Sequence, residues 1–154
     1  MSATAGQVGT DETAANKVRI AEVSDRPLDV RRHEAAVRDR GAGADVTFCG
    51  VVRDHDDGRT VLELEYSSHP SAAAVIAEVA ASVAADPDVI AVAVSHRVGM
   101  LAIGDVALVA SVTAAHRKQA FDTCAALVDE VKSRLPIWKR QVFDDGTDEW
   151  VNCP

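Results

Sequence analysis

The chain has few cysteines and lacks the long apolar runs of a membrane protein. Its three cysteines, Cys49, Cys124 and Cys153, stand far apart without CxxC spacing, which is typical of reduced thiols rather than of disulfides or a zinc site. No run approaches the roughly 20 apolar residues of a membrane-spanning helix. The first residues do not form the cationic and then apolar pattern of an export signal. We therefore expect a soluble, cytoplasmic protein.

Positive charge is also scarce, and it is unevenly distributed. The 154 residues include 16 Lys+Arg and 24 Asp+Glu, which gives a formal net charge of -8. An acidic body repels nucleic acid phosphates, so nucleic acid is not an expected partner. Residues 116–140 nevertheless carry six cations and three anions. This cationic segment predicts a local site for a small anion.

The order of periodic segments predicts an α+β fold with a mostly antiparallel sheet and flanking helices. Residues 1–16 are small and polar without periodicity and are expected to form a disordered tail. Residues 17–154 are of a length that suits one domain. The predicted strands are 17–23, 44–53, 62–66, 89–95, 106–113, 137–143 and 150–151, and the predicted helices are 28–40, 71–85 and 116–135.

The helix at 116–135 has the clearest pattern and carries two cations at its start. Apolar residues recur at spacings of three and four, which predicts one buried stripe. The members of this stripe are Phe121, Cys124, Val128, Val131 and Leu135. His116 and Arg117 stand where the helix dipole disfavours cations. A bound anion would reverse that cost. The alternative is that both side chains extend into solvent or meet an acidic neighbour, and the sequence leaves both interpretations open.

Two lysines near the end of this helix are candidate functional groups. Lys132 lies at the flank of the apolar stripe, from which its amine can reach a cleft. In strand alternation Lys139 shares a face with Ile137 and Gln141, whereas Arg140 faces the other way. Together with Arg53, Arg117 and Arg140, the lysines could form an anion pocket. The alternative is that they extend into solvent and complement the helix dipole.

Several other polar or aromatic residues receive structural interpretations. The acidic run at residues 54–57 offers metal-ligand atoms, but a solvated hairpin loop explains it better, and no metal site is predicted. His96 and Arg97 end an apolar strand and are interpreted as a polar cap. Phe48 and Trp138 are expected in the core, where either could also stack on a flat heterocycle.

Four stretches in a fixed order carry a family resemblance. They are FCGVVR at 48–53, HRVG at 96–99 followed by Gly104-Asp105, AHR at 115–117 followed by Ala120-Phe121, and Lys132 followed by PIWK at 136–139. From about residue 44 to residue 151 the chain resembles the large, catalytic subunits of molybdopterin synthase. In that case residues 17–154 are a single domain of this family.

The resemblance implies an α/β hammerhead-like fold and a sulfurtransferase of molybdenum cofactor biosynthesis. Two large subunits form a homodimer, and two small ubiquitin-like sulfur carriers dock at its ends to give a heterotetramer. The carrier's C-terminal thiocarboxylate supplies the sulfur that converts cyclic pyranopterin monophosphate (precursor Z) into the dithiolene of molybdopterin. No metal or organic cofactor is implied for this step, because the carrier supplies the sulfur.

The resemblance also implies roles for particular residues. Lys132 and Lys139 are the expected catalytic lysines, and both also bind substrate. The other expected substrate-binding residues are Val51, Val52, Arg53, His116, Arg117, Arg140 and Gln141. A site that draws on both subunits of the dimer would let His116 and Arg117 serve the neighbouring subunit. Gln141 departs from the family's usual Glu and lacks its negative charge.

Two other functions remain open at this stage. A non-catalytic module could bind a ubiquitin-like carrier and only clamp its carboxylate, with Gln141 marking lost activity. An unrelated phosphate-ester enzyme would act without a protein partner. An assay of dithiolene formation with and without a thiocarboxylated carrier separates the three.

Overall fold

The computed structural model describes residue 14 and residues 16–153. The predicted disordered tail at 1–16 therefore lies outside the described residues, apart from residues 14 and 16. In chain order the strands are β1 (Val18–Ser24), β2 (Ala44–Val51), β3 (His55–Asp56), β4 (Arg59–Ser68), β5 (Val89–Arg97), β6 (Gly99–Leu101), β7 (Val106–Ala114), β8 (Ile137–Phe143) and β9 (Asp148–Cys153). The helices are α1 (Val30–Ala36), α2 (Ala72–Ala84) and α3 (Arg117–Arg134).

The strands form two sheets, in which antiparallel pairing dominates. The four-stranded sheet has the order β1-β5-β7-β2, and only β1 pairs in parallel, with β5. The five-stranded sheet has the order β3-β4-β8-β9, with β6 also paired to β4. The predicted α+β class with mostly antiparallel strands and flanking helices is confirmed. The near-continuous apolar sequence of β5 fits its central place, because both of its faces are buried.

The main core lies between one face of the four-stranded sheet and helices α2 and α3. Ile76 and Val79 of α2 and Leu127 and Val131 of α3 pack there on the inward residues of the sheet, which include Val94. Such spacing gives each helix one apolar stripe. Val131 ends this stripe within the helix, and Lys132, the next residue, lies in the last turn of α3.

Helix α1 covers the opposite face of the same sheet through polar contacts. The buried His33 ring donates from Nδ1 to the carbonyl oxygen of Asp29, at 2.7 Å, and its Nε2 accepts from the hydroxyl of Ser95, also at 2.7 Å. The hydroxyl of Thr113 donates to the carbonyl oxygen of Val37 at 2.7 Å. Buried polar groups are therefore satisfied on this face.

Three aromatic residues are more exposed than the sequence predicts. Phe121, predicted in the buried stripe, is 60% exposed, because it lies beside β2, beyond which the described residues add no further strand to the sheet. Phe48 lies on that edge strand and is also exposed. Trp138 points to the outer face of the five-stranded sheet. Within the described residues, no helix combines the length and apolarity needed to cross a membrane.

Candidate active site

A small cavity opens where the two sheets meet the C-terminal end of α3. Its volume is about 90 Å³. The side chains that give it chemical character are Lys132, His96 and Tyr66, and the apolar wall includes Val51 and Ile137. Strands β2, β4, β5, β7 and β8 and the last turn of α3 all contribute. The structure therefore places the predicted Lys132 in a concave site.

His96 is a neutral base on the wall of this cavity. It is only 7% exposed, and its Nδ1 lies 2.7 Å from the carbonyl oxygen of Arg97. A carbonyl can only accept, so Nδ1 carries the proton and Nε2 keeps its lone pair. Burial, and next the positive charge of Lys132, lower the pKa of His96 to about 4. The Tyr66 ring meets the imidazole edge-on, with centroids 4.9 Å apart.

Lys139 lies on the strand face that adjoins the cavity. In the pairing of β4 with β8, Tyr66 stands opposite Lys139, and Ile137 is two residues away on the same face. Because Tyr66 and Ile137 both line the cavity, Lys139 projects from the sheet beside it. Arg140 lies on the opposite face, where it pairs with Asp148 at 2.9 Å, so the structure does not bring it to the cavity.

Arg53 and Gln141 both bond to the carboxylate of Asp56, a residue for which the sequence predicts only a solvated hairpin loop. One oxygen of Asp56 accepts a hydrogen bond from the Gln141 amide at 2.7 Å, and the other accepts from the Arg53 guanidinium at 3.1 Å. The Gln141 hydrogen bond, and then the charges of Lys139 and Arg53, lower the pKa of Asp56. A negative charge is thus present beside Gln141, although that residue is itself neutral.

Val51 and Val52 differ in what they could offer a ligand. Val51 is exposed and lines the cavity. Val52 is buried, its N–H donates to the carbonyl oxygen of Asp105 at 2.9 Å, and its carbonyl accepts from the N–H of Gly104 at 2.8 Å. The backbone donor of Val52 is therefore already engaged within the chain.

His116 and Arg117 lie at the far end of α3. His116 is the N-cap residue with an extended backbone and makes no side-chain capping bond. At about 1.5 Å of rise per residue, Arg117 lies about 22 Å along the helix from Lys132. Neither residue forms an ion pair within the part of the chain that the structure describes. A single chain therefore does not bring them to the cavity.

The described thiols and acidic groups show no further site. Burial raises the pKa of both Cys49 and Cys124, which makes these thiols less reactive. No group of three or more His, Cys, Asp or Glu side chains is placed to hold a metal ion among residues 14 and 16–153.

Comparison with known proteins supplies the family. Residues 23–134 match the family model described as MoaE protein. Relatives named molybdopterin synthase catalytic subunit occur in Oryza sativa subsp. indica (37% identity, 84% of this chain and 67% of the relative), Bacillus subtilis (32%, 84% and 83%) and Thermoplasma volcanium (37%, 86% and 96%).

Solved structures share the fold. Molybdopterin synthase from Staphylococcus aureus superposes with a TM-score of 0.78 at 28% identity, over 85% of this chain and 96% of that one. The molybdopterin biosynthesis MoaE protein of Burkholderia ambifaria gives 0.72 at 29%, over 87% and 89%. A complex of subunits 1 and 2 of the Helicobacter pylori molybdopterin-converting factor gives 0.61 at 20%, over 88% of each chain, and supports the fold alone. The chain belongs to the MoaE family, the family of molybdopterin synthase catalytic subunits.

Proposed function

We propose that this chain transfers sulfur from the thiocarboxylated C-terminus of a small ubiquitin-like carrier to cyclic pyranopterin monophosphate, forming the dithiolene of molybdopterin. The observation that carries the proposal is the position of Lys132 on the wall of a small cavity, with Lys139 on the adjoining strand face. Both reactants are anionic, so a site for them requires fixed cations.

The reaction assigns a definite task to each lysine. In each transfer a carbon–sulfur bond forms on the substrate while an oxygen substituent leaves, and the carrier's acyl–sulfur bond breaks. Water takes the acyl group, so the carrier departs as an ordinary carboxylate. Lys132, as an ammonium, donates a proton to the leaving oxygen or stabilises the developing anion. Lys139 orients the substrate and the thiocarboxylate, and Arg53 supplies a further cation for the phosphate.

The size of the cavity supports delivery by a protein tail. About 90 Å³ is well below the roughly 300 Å³ at which ordinary small-molecule pockets begin. Only the reacting part of the substrate and the extended end of a chain fit such a space, and the body of the carrier remains outside.

A homodimer would complete the site. Strand β2 is an edge of its sheet, and the exposed Phe48 and Phe121 lie beside it. Its first residue, Ala44, pairs with Ala114 close to the start of α3, whereas Gly50 and Val51 at its other end line the cavity. Exposed apolar side chains beside an unpaired edge favour a second copy as the occupant.

The twofold axis of such a dimer brings opposite ends of β2 together. Two β2 edges side by side in antiparallel sense place the start of the partner's α3 near this chain's cavity, because β2 is about 24 Å long and Arg117 lies about 22 Å from Lys132. We propose that His116 and Arg117 of each chain serve the other chain's site. With one carrier at each site, the assembly is a heterotetramer.

The direct test measures dithiolene formation with purified thiocarboxylated carrier and cyclic pyranopterin monophosphate. We expect Lys132→Ala to lower turnover by about 10²-fold or more, because one group loses both proton transfer and charge stabilisation. Arg134→Ala is the matched control, since Arg134 lies on the same helical turn but pairs with Glu78 of α2 at 3.3 Å.

The outcomes separate the functions. Full turnover by Lys132→Ala removes the catalytic assignment. A wild-type chain that binds the carrier and yields no product is a binding module, and activity without any carrier indicates an unrelated phosphate-ester enzyme.

A further inference from the structure

We propose that Asp56 is a positioning residue, whose carboxylate holds the Arg53 guanidinium in the arrangement that the anionic reactants require. This role rests on the proposed function. Asp56 itself does not line the cavity, so it acts through its neighbours.

A tight hairpin brings Asp56 to this place. Strands β3 and β4 are joined by Asp57 and Gly58, which have φ of 50° and 74°, and positive φ at both central residues is typical of the turn that suits a two-residue hairpin. Strand β4 then pairs with β8, which carries Lys139 and Gln141. The hairpin therefore folds the acidic end of β3 onto residues 85 positions later in the chain.

Both oxygens of the carboxylate are used, and their partners differ in mobility. Gln141 is 3% exposed and fixed within β8, so its amide anchors one oxygen at 2.7 Å. The other oxygen holds the Arg53 guanidinium at 3.1 Å, although the Arg53 side chain is mostly exposed. A long exposed side chain samples many rotamers unless a partner restrains it. Asp56 thus connects a rigid strand to a mobile cation.

The charge of Asp56 also acts on Lys139. Lys139 precedes Gln141 by two residues on the same strand face, and its charge contributes to lowering the pKa of Asp56. The carboxylate therefore stays ionised at neutral pH and reduces the repulsion between two nearby cations. The Asp56 carboxylate weakens the binding of anionic reactants nearby, so its benefit lies in orienting the Arg53 cation rather than in raising affinity.

This reasoning predicts a kinetic signature. In Asp56→Asn the site becomes more positive, so KM for the pterin substrate stays constant or falls. Arg53 loses its restraint, so kcat falls by about 10-fold, in line with the cost of small misplacements of groups that contact the reactants. A loss of binding machinery would instead raise KM.

The experiment compares Asp56→Asn with Asp54→Asn and with the double variant Asp56→Asn/Gln141→Glu. Asp54 is the matched control, because it lies on the same hairpin but its side chain bonds to His55. We expect wild-type kcat for Asp54→Asn. The double variant exchanges the amide and the carboxylate, and we expect it to recover most of the lost kcat. Thermal unfolding of each variant verifies that the fold is retained.

A second measurement is independent of turnover. Relaxation of the Arg53 side-chain Nε by NMR should show a clear drop in order in Asp56→Asn and not in Asp54→Asn. The proposal is overturned if order is unchanged, if kcat stays at the wild-type value, or if the exchanged pair recovers nothing. If the wild-type enzyme forms no product, the proposed function fails, whereas the Arg53 relaxation still decides whether Asp56 restrains it.

Discussion

At the scale of single residues, the neutral His96 gives the cavity a proton acceptor beside a cation. The Arg97 carbonyl fixes the proton on Nδ1, so the Nε2 lone pair is available. Lys132 lines the same cavity, and an imidazolium there would repel it. The low pKa of His96, about 4, keeps the imidazole uncharged in neutral solution. The pair therefore offers one positive donor and one neutral acceptor.

The same burial predicts a pH dependence of stability. The pKa of His96 falls from 6.5 to about 4 on folding, so between these values the unfolded chain binds a proton that the folded chain does not. The free energy of unfolding therefore decreases as the pH falls from 6.5 to 4, by about 3 kcal/mol at most. Denaturant unfolding of wild type and His96→Gln across this range measures the difference. Parallel curves for the two proteins would contradict the assignment.

The face of a helix or strand on which a residue lies was predictable from the sequence, because the repeat of that element determines it. The flank position of Lys132 follows from the 3.6-residue period of α3, and the face of Lys139 follows from strand alternation. The role of Asp56 was not predictable from the sequence, because its contact with Gln141 depends on the order of β3, β4 and β8 in the sheet. No pattern within residues 54–57 encodes that order.

At the scale of elements, the junction between β2 and α3 depends on a close backbone approach. A Cβ at Gly43 would clash with the backbone carbonyl oxygen of Ala115, immediately before His116. Backbone atoms shift less easily than the end of a flexible side chain, so the clash at Gly43 is costly to relieve. The start of α3, and with it the placement of His116 and Arg117, therefore depends on glycine at this position.

We expect Gly43→Ala to lower the free energy of unfolding by about 2 kcal/mol, the usual cost of overpacking a tight contact. Gly41→Ala is the control, because a Cβ there meets only the Asp39 side chain, at 3.3 Å. Chemical denaturation of both variants measures the effect. Equal stabilities would show that the β2 to α3 junction tolerates a shift.

Most elements were predictable from sequence, but their partners were not. The apolar run of β5 and the 3.6-residue period of α3 were sufficient to predict these two elements from local sequence. The parallel pairing of β1 with β5 was not predictable, because a short apolar pattern does not indicate the direction of a strand relative to its neighbour. The prediction that Phe121 is buried was wrong for a related reason. Helical spacing indicates which face of α3 a residue lies on, but only the strand order shows that Phe121 on this face lies beside the edge strand β2.

At the scale of the whole molecule, the cationic segment divides into paired and unpaired charges. Lys118, Arg134 and Arg140 form ion pairs with Asp122, Glu78 and Asp148, respectively. Across the described part of the chain, Arg117, Lys132 and Lys139 form no salt bridge. An acidic protein that leaves these three cations without an ion pair among its described residues keeps them available for an anion, yet one chain holds Arg117 at the far end of α3.

Sharing of sites between two copies predicts complementation. Lys132→Ala and Arg117→Ala should each be inactive alone, because each dimer lacks one group at both sites. In a mixed dimer, one site has both defects and the other has neither. Random re-assembly of equal amounts should therefore restore about a quarter of wild-type turnover. The mixture is unfolded, refolded together and assayed with carrier and substrate. A mixture that stays inactive, although light scattering shows dimers, would place His116 and Arg117 outside the neighbouring site.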